Sequence, residues 1–266
     1  ANVVAEICGA AGLADVGVSA LHGGGRGYQP APGLSGRALL QGLMLAYGFD
    51  AAERDGRLVF AMRDGRVAAR LGPDSLALGE GPALEAVRAP EAEVAGRVRL
   101  AYVEADGDYE IRAVEALMPD ERASGVAGTE LALALTRSEG HRIAERWLAE
   151  ARVARDGVAF ALPPSLGHLG PGDVVELTHQ GRARRYRIDR AEVAGVRRLE
   201  AVRVEPGVYR PARVVEGEAA LRPFVPPIPV WPVFLDLPLL RGDEVAHAPH
   251  LAVTATPWPG AAAVWA

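Results

Sequence analysis

The sequence predicts an α+β protein, mainly β: a small helix–strand–helix–hairpin subdomain, a β-barrel with a helix on its flank, then an extended proline-rich arm. Three observations carry that prediction. Short segments of alternating apolar and polar residues recur from Arg66 to Val204, separated by Asp-Gly and Gly-Pro-Gly turns, a pattern that builds barrels and sandwiches. Helical periodicity is confined to a few stretches, of which the one after Thr136 is the clearest. Prolines crowd in at Pro223, Pro226, Pro227, Pro229 and Pro232, where a fixed φ and a missing N–H donor exclude helices and central strands.

The elements follow in order. From Val3 to Leu13, residues Val4, Ile7, Cys8 and Ala11 share one helical face, and Gly12 stands where that helix stops. Val16 and Val18 alternate as a short strand before the loop Gly23-Gly24-Gly25-Arg26-Gly27. Ser35 caps a second helix with the stripe Leu39, Leu43, Ala46, ending at Gly48. Phe49 to Glu53 and Leu58 to Phe60 flank Asp55-Gly56, a dipeptide suited to the positive φ angles of a type I′ hairpin. Arg97 to Val103 and Tyr109 to Val114 read as strands paired around Asp106-Gly107, with a further strand at Leu131 to Leu135. Thr136 and Glu139 form a capping box opening a helix through Ile143, Trp147 and Ala151. A strand after Asp156-Gly157 reaches Leu162, and the turn Gly170-Pro171-Gly172-Asp173 enters a strand ending at Leu177. Two more strands span Ala183 to Ile188 and Arg197 to Val204, and Val233 to Leu237 reads as one isolated strand. The expected divisions are residues 1–65, 66–206 and 207–266.

Composition narrows the function. With 49% hydrophobic residues the chain builds a real core, and no run reaches the ~18 apolar residues of a membrane helix. All 29 basic residues are Arg and the net charge is −5, so tight nucleic-acid binding is disfavoured, whereas a surface that lets DNA slide past tolerates this balance. The single cysteine, Cys8, excludes a disulfide framework within the chain. The opening Ala1-Asn2-Val3-Val4 lacks a Met, a basic region and a cleavage site, and both ends read as cuts within a longer polypeptide.

Catalytic and ligand motifs are searched for without success, so the expected catalytic, cofactor and metal residues are none. Cys8 lies on an apolar helix face, which is the setting of a structural thiol. His247 and His250 flank Pro249 without third and fourth ligands, and His141 belongs to a helix surface. Glu104, Asp106, Asp108 and Glu110 alternate around a turn but lack the full calcium-loop spacing. The glycine loop lacks the Lys-Ser/Thr ending of a phosphate-binding loop, and Gly33-Leu34-Ser35-Gly36 does not make a nucleophile elbow.

Element order carries a resemblance. The opening Val3 to Leu13, then Arg26-Gly27-Tyr28, Ser35 to Leu40, Tyr47-Gly48-Phe49-Asp50 and Asp55 to Phe60 follow one another. Further on come Arg142 to Leu148, Phe160 to Ser165, Pro171 to Val175, Glu200 to Tyr209 and Phe234 to Pro238. In this order the chain resembles the phage tail-hub, or baseplate, proteins of gene transfer agents and siphovirus-like tails, the host-specificity family. The resemblance implies a structural, non-enzymatic tail-tip protein of a virion: a homotrimeric ring with tail-tube-like barrels that continues the tail tube and passes DNA. It implies as neighbours the distal tail and tail-tube proteins, other hub and fibre proteins and the tape-measure protein, without membrane insertion or cofactor. The arginines Arg182, Arg184, Arg185 and Arg187 either make ion pairs between subunits or form a solvated face. Two other readings stand beside it. A cell-envelope hydrolase-associated module needs an acidic pair in a groove, and a receptor- or carbohydrate-binding module needs an aromatic platform, which Trp147, Trp231, Trp258 and Trp265 do not mark out.

Overall fold

The computed structural model describes residues 1–77, 82–90, 95–106, 109–118, 125–179, 181–194, 196–209, 229–239, 241–242, 245, 247–256, 258 and 262. The chain forms two compact units, Ala1–Ala220 and Leu221–Ala266. The fold is α+β and mainly β, with three α-helices among the described residues.

The first elements are α1 (Asn2–Ala10), β1 (Val16–Ala20), α2 (Gly36–Tyr47), β2 (Phe49–Arg54) and β3 (Arg57–Met62). Each end has a local cause. Gly12 takes φ +83°, closing α1, the Ser35 hydroxyl accepts from the Ala38 N–H at 3.3 Å, and Gly48 ends α2 in the left-handed region. Asp55 and Gly56 both take positive φ, as the tight turn between β2 and β3 requires. β3 pairs antiparallel with β2 and parallel with β1, and α1 and α2 bury Val4, Ile7, Cys8, Leu43 and Ala46. Ala11 remains exposed past the last helical turn.

The next strands are β4 (Val67–Leu71), β5 (Leu84–Arg88), β6 (Ala95–Glu104), β7 (Ile111–Leu117) and β8 (Gly125–Leu135), followed by α3 (Arg137–Ala154). β7, β6 and β8 form a sheet in that order, with β6–β8 parallel. The inner face of β6 buries Val98, Leu100 and Tyr102, and α3 lies on it through Ile143, Ala144 and Leu148. Both halves of the capping box are present: the Thr136 hydroxyl accepts from the Glu139 N–H at 3.2 Å, and the Thr136 N–H donates to the Glu139 carboxylate at 2.8 Å. Thr136→Ala is therefore expected to cost about 1 kcal/mol, read as a lowered midpoint in urea unfolding.

The remaining strands of the first unit are β9 (Asp156–Leu162), β10 (Val174–His179), β11 (Arg182–Ala194) and β12 (Val196–Val204). With β4 and β5 they make a six-stranded sheet ordered β4-β10-β11-β12-β9-β5. Leu71 from one edge strand and Leu84 from the other pack into the same core, with Phe160, Leu177, Ile188 and Leu199. Two edges feeding one core require the sheet to curl around it, as in a barrel. Among the described residues no ladder joins β4 to β5.

The first unit thus holds two cores that do not follow chain order. The first joins α1, α2, β2 and β3 to β6–β8 and α3, and the second gathers β4 and β9–β12, with β5 packed against it. The expected boundary at residue 65 falls where the chain first passes between them, and β6 then returns it to the first core.

Three expectations are corrected. The strand expected after Asp156-Gly157 begins at Asp156, because Asp156 and Gly157 already pair with Arg88 and Val87 of β5. The strand expected at Leu131 to Leu135 starts at Gly125, because pairing with β6 holds its Gly-rich first half extended. In the second unit the strand expected to be isolated, β13 (Trp231–Leu235), pairs antiparallel with β14 (His250–Thr254). Pro232 is tolerated there because a two-stranded ribbon consists of edges. Pro223, Pro226, Pro227 and Trp265 lie outside the described residues.

Candidate assembly surfaces

The side chains singled out from the sequence occupy structural positions. Cys8 is 1% exposed, and burial raises its thiol pKa. Gly25 approaches Tyr47 so closely that a Cβ would lie 2.7 Å from the phenol oxygen, and the Gly27 carbonyl accepts from the Ala134 N–H at 2.9 Å. The glycine loop is thus held at Gly25 and Gly27, while Gly24 is open to solvent. Glu104 and Glu110 each pair with Arg112, at 3.2 and 3.1 Å, and Asp108 lies outside the described residues. His141 is half-buried on α3, His247 is exposed and His250 starts β14. Among the described residues, no group of three or more His, Cys, Asp or Glu could hold a metal ion.

The basic β11 strand divides. Arg185 meets Glu176 at 3.4 Å, and Arg187 meets Asp50 at 3.4 Å and Asp189 at 3.0 Å. Both are thus engaged within the chain, whereas Arg182 and Arg184 are exposed. Glu176 also binds Arg70 of β4 at 3.1 Å, so one carboxylate ties two neighbouring strands to β10.

Arg187 belongs to an ionic joint between the two cores. Asp50 of β2 accepts from Arg63 at 2.9 and 2.6 Å, and Arg63 reaches Glu150 of α3 at 3.0 Å. Arg146 donates to the last carbonyls of α2, including Ala46 at 2.9 Å, which suits the negative end of a helix dipole. Burial opposes the Arg63 charge, but the hydrogen bond and charge of Asp50 outweigh it and raise the guanidinium pKa. Burial lowers that of Arg146. A second clasp joins the same cores: Arg54 binds Asp173 at 2.8 Å and donates to the carbonyls of His168 and Pro171 at 3.1 and 2.9 Å.

Tyr209, on a short helical turn after β12, borders this joint. Burial, reinforced by Glu150, pushes its phenol pKa up to about 12. Because the folded state favours the protonated phenol, that stability is complete below the ordinary tyrosine range near pH 10 and is lost as pH rises toward 12. Burial also raises the pKa values of Tyr28, Tyr47 and Tyr102, so ultraviolet titration of tyrosinate should show a late-ionising amplitude that Tyr209→Phe reduces near pH 12.

The sequence signals missed this joint. Arg146 and Glu150 stand at helical i,i+4 spacing, which by itself marks only a surface pair. Asp50 and Arg63 flank the β2–β3 hairpin, but Glu150 and Arg187 reach them from α3 and β11, elements that no local pattern connects to it.

Outward surfaces are less complete. Ile111 and Leu117 on β7 and Val126 on β8 are 63%, 59% and 64% exposed, on the face opposite α3. β7 and β5 are sheet edges, and Val87 of β5 is exposed. On β8 the far edge is covered near its end, where the Gln29 N–H donates to the Ala132 carbonyl at 2.9 Å. Unpaired edges invite strand addition unless a neighbour covers them. In the second unit, Trp231 and Phe234 project from a ribbon too small to be stable alone.

Comparison with known proteins accounts for this architecture. A search of curated proteins finds no match. Among solved structures, a chain from "Virion of native gene transfer agent (GTA) particle" is 64% identical with a TM-score of 0.78, covering 81% of this chain and 49% of that one. The present chain thus spans about half the length of that relative. The tail protein from Neisseria meningitidis MC58 shares the fold at 13% identity and TM-score 0.54, covering 78% of this chain and 67% of its own. The prophage MuSo2 43 kDa tail protein from Shewanella oneidensis does so at 14% and 0.53, covering 79% and 66%. The family model described as "Putative phage tail protein" matches residues 35–191, from the cap of α2 into β11. The chain belongs to that phage tail protein family.

Proposed function

We propose that this tail protein is a structural, non-enzymatic element of the tail-tip hub of a gene-transfer-agent-like virion. Three copies form a ring that continues the tail tube, joins the distal tail and fibre proteins, contacts the tape-measure protein and passes DNA. The observation that carries the reading is 64% identity, over most of this chain, to a chain of a native gene transfer agent virion. The physical features agree with it. A curled sheet with edge strands on either side suits lateral continuation around a ring, and the net charge of −5 suits a wall past which DNA slides. The three-part division at residues 65 and 206 is kept as part of this proposal, with the last part as an arm against a neighbour.

Cryo-electron microscopy of intact particles tests it. Three copies around the tail axis, in register with the tube, is the expected result. Density confined to a peripheral fibre would replace the hub with a receptor-binding role. Peptidoglycan turnover by the purified chain, lost on changing one carboxylate, would replace the structural role with a hydrolase.

A further inference from the structure

The β10–β11 hairpin reaches past both of its neighbours in the sheet. Its pairing with β4 ends at Leu177 and that with β12 at Arg185, while its own two strands stay paired out to His179 and Arg182. Leu177 and Tyr186 are the last buried residues at this end, and alternation places Arg184 and Arg182 on the same face as Tyr186, beyond the core. Both arginines are exposed, and His179 stands opposite Arg182. Among the described residues neither arginine makes an ion pair, unlike Arg185 and Arg187. From Leu177 to Ile188 the chain holds four Arg and no Asp or Glu, although its net charge is −5. The carboxylates on the flanking strands are committed elsewhere. Glu176 lies on the other face of β10 and binds Arg70 and Arg185, and Glu205 pairs with Arg203 at 3.5 Å. Asp74 lies on the segment that leaves β4 for the opposite end of the sheet, where the Ala77 N–H donates to the Ala161 carbonyl at 2.9 Å.

Two unpaired guanidinium groups on a protruding tip recruit anions, and the composition of the tip separates the possible carriers. A packed protein interface needs apolar side chains at its centre. Thr178, His179, Gly181, Arg182, Ala183 and Arg184 include no large apolar side chain. A phosphodiester backbone requires none. Strand residues two apart lie about 6.5 Å from one another, and a DNA strand carries one charge about every 3.4 Å of axis, so both side chains reach phosphates of one strand. We infer that the tip of the β10–β11 hairpin grips the phosphate backbone of DNA through Arg182 and Arg184. Two charges on an acidic chain make that grip weak, reversible and independent of base sequence. It holds passing DNA in line without arresting it. The inference deepens the hub reading above, on which the presence of DNA beside the chain rests.

The test measures binding of the full chain to fluorescent double-stranded DNA of two unrelated sequences, from about 50 to about 200 mM salt. Wild type is compared with Arg182→Ala/Arg184→Ala, with Arg182→Lys/Arg184→Lys, and with Arg198→Ala, an exposed arginine of β12 outside the tip. Each phosphate contact adds about one to the slope of log affinity against log salt, so over this range wild type should lose about tenfold more affinity than the alanine pair. Both DNA sequences should behave alike. The lysine pair and Arg198→Ala should keep the wild-type slope, and melting temperatures should not change, since every altered side chain is exposed. Absence of binding by wild type at the lowest salt, an alanine pair with the wild-type slope, or an equal loss in Arg198→Ala overturns the inference. A photo-crosslinker in place of His179, in whole particles triggered to release DNA, supplies the second measurement. Capture of DNA supports the grip, and capture of a protein or of nothing overturns it. Microscopy of the same particles separates the two proposals: a chain located away from the tail tip removes the hub, while the salt slope still decides whether the hairpin binds phosphate.

Discussion

Replacing Asp50 with alanine is expected to destabilise the protein by about 3 kcal/mol, the lower end of the cost of breaking a buried ion pair from one side. Asp50 accepts two bonds from Arg63, the shorter at 2.6 Å, and stands 3.4 Å from Arg187. The three side chains are 23%, 17% and 20% exposed. They are therefore poorly hydrated without being sealed, which sets the cost at the lower end. Without Asp50, Arg63 keeps Glu150 and Arg187 keeps Asp189, but the link between β2 and β11 disappears. Urea unfolding measures the effect directly. Pairing Asp50→Leu with Arg63→Met should cost less than the sum of the two single changes, because each removes the partner the other would leave unpaired, while Glu150 keeps Arg146 at 3.9 Å. A loss below about 1 kcal/mol for Asp50→Ala would show the joint to be solvated and energetically minor.

Gly140→Leu should be at least as damaging. Gly140 is a buried position on α3 where a Cβ would lie 2.9 Å from the Tyr102 ring. Tyr102 is 1% exposed near the C-terminal end of β6, so its ring has little room to yield. Helix propensity favours alanine over glycine by about 1 kcal/mol, yet even alanine must displace the ring. Leucine has to lift α3 from the sheet, at a cost of about 3 kcal/mol or more from overpacking and lost burial. Thermal unfolding reports the loss, and adding Tyr102→Ala should recover part of it by opening space beneath the helix. Equal damage in single and double variants would mean that the close approach to Tyr102 is not its cause.

The legible parts of this fold were those with chemistry inside a few neighbouring residues. Ser35, Gly48, Asp55-Gly56 and the Thr136–Glu139 capping box each act locally, and each forms the cap or turn read from the sequence. The strand Leu84–Arg88 escaped notice because its exposed, mixed residues alternate poorly. Its extended form comes from pairing with β9, far along the chain. The parallel pairs β1–β3, β4–β10 and β6–β8 were equally silent, since no turn joins parallel neighbours. Arg146 shows the same limit at the ionic joint. Its sequence neighbours read as an amphipathic helix surface, and only the approach of the α2 end, whose carbonyls it binds, turns that surface into a contact.

The interleaving of the two cores dictates an order of events during synthesis. β4 and β5 leave the ribosome long before β10 and β9, the strands that complete their ladders. Meanwhile β6 to β8 and α3 can close the first core around the earlier helices. Leu71 and Leu84 therefore stay without their core partners until β9 to β12 have been synthesised. Such distant pairing slows folding and leaves open strands exposed to other copies. Under the proposed ring assembly, in which copies associate through their edges, the same stickiness that would assemble the finished ring threatens the unfinished chain, so timing as well as shape would separate assembly from aggregation.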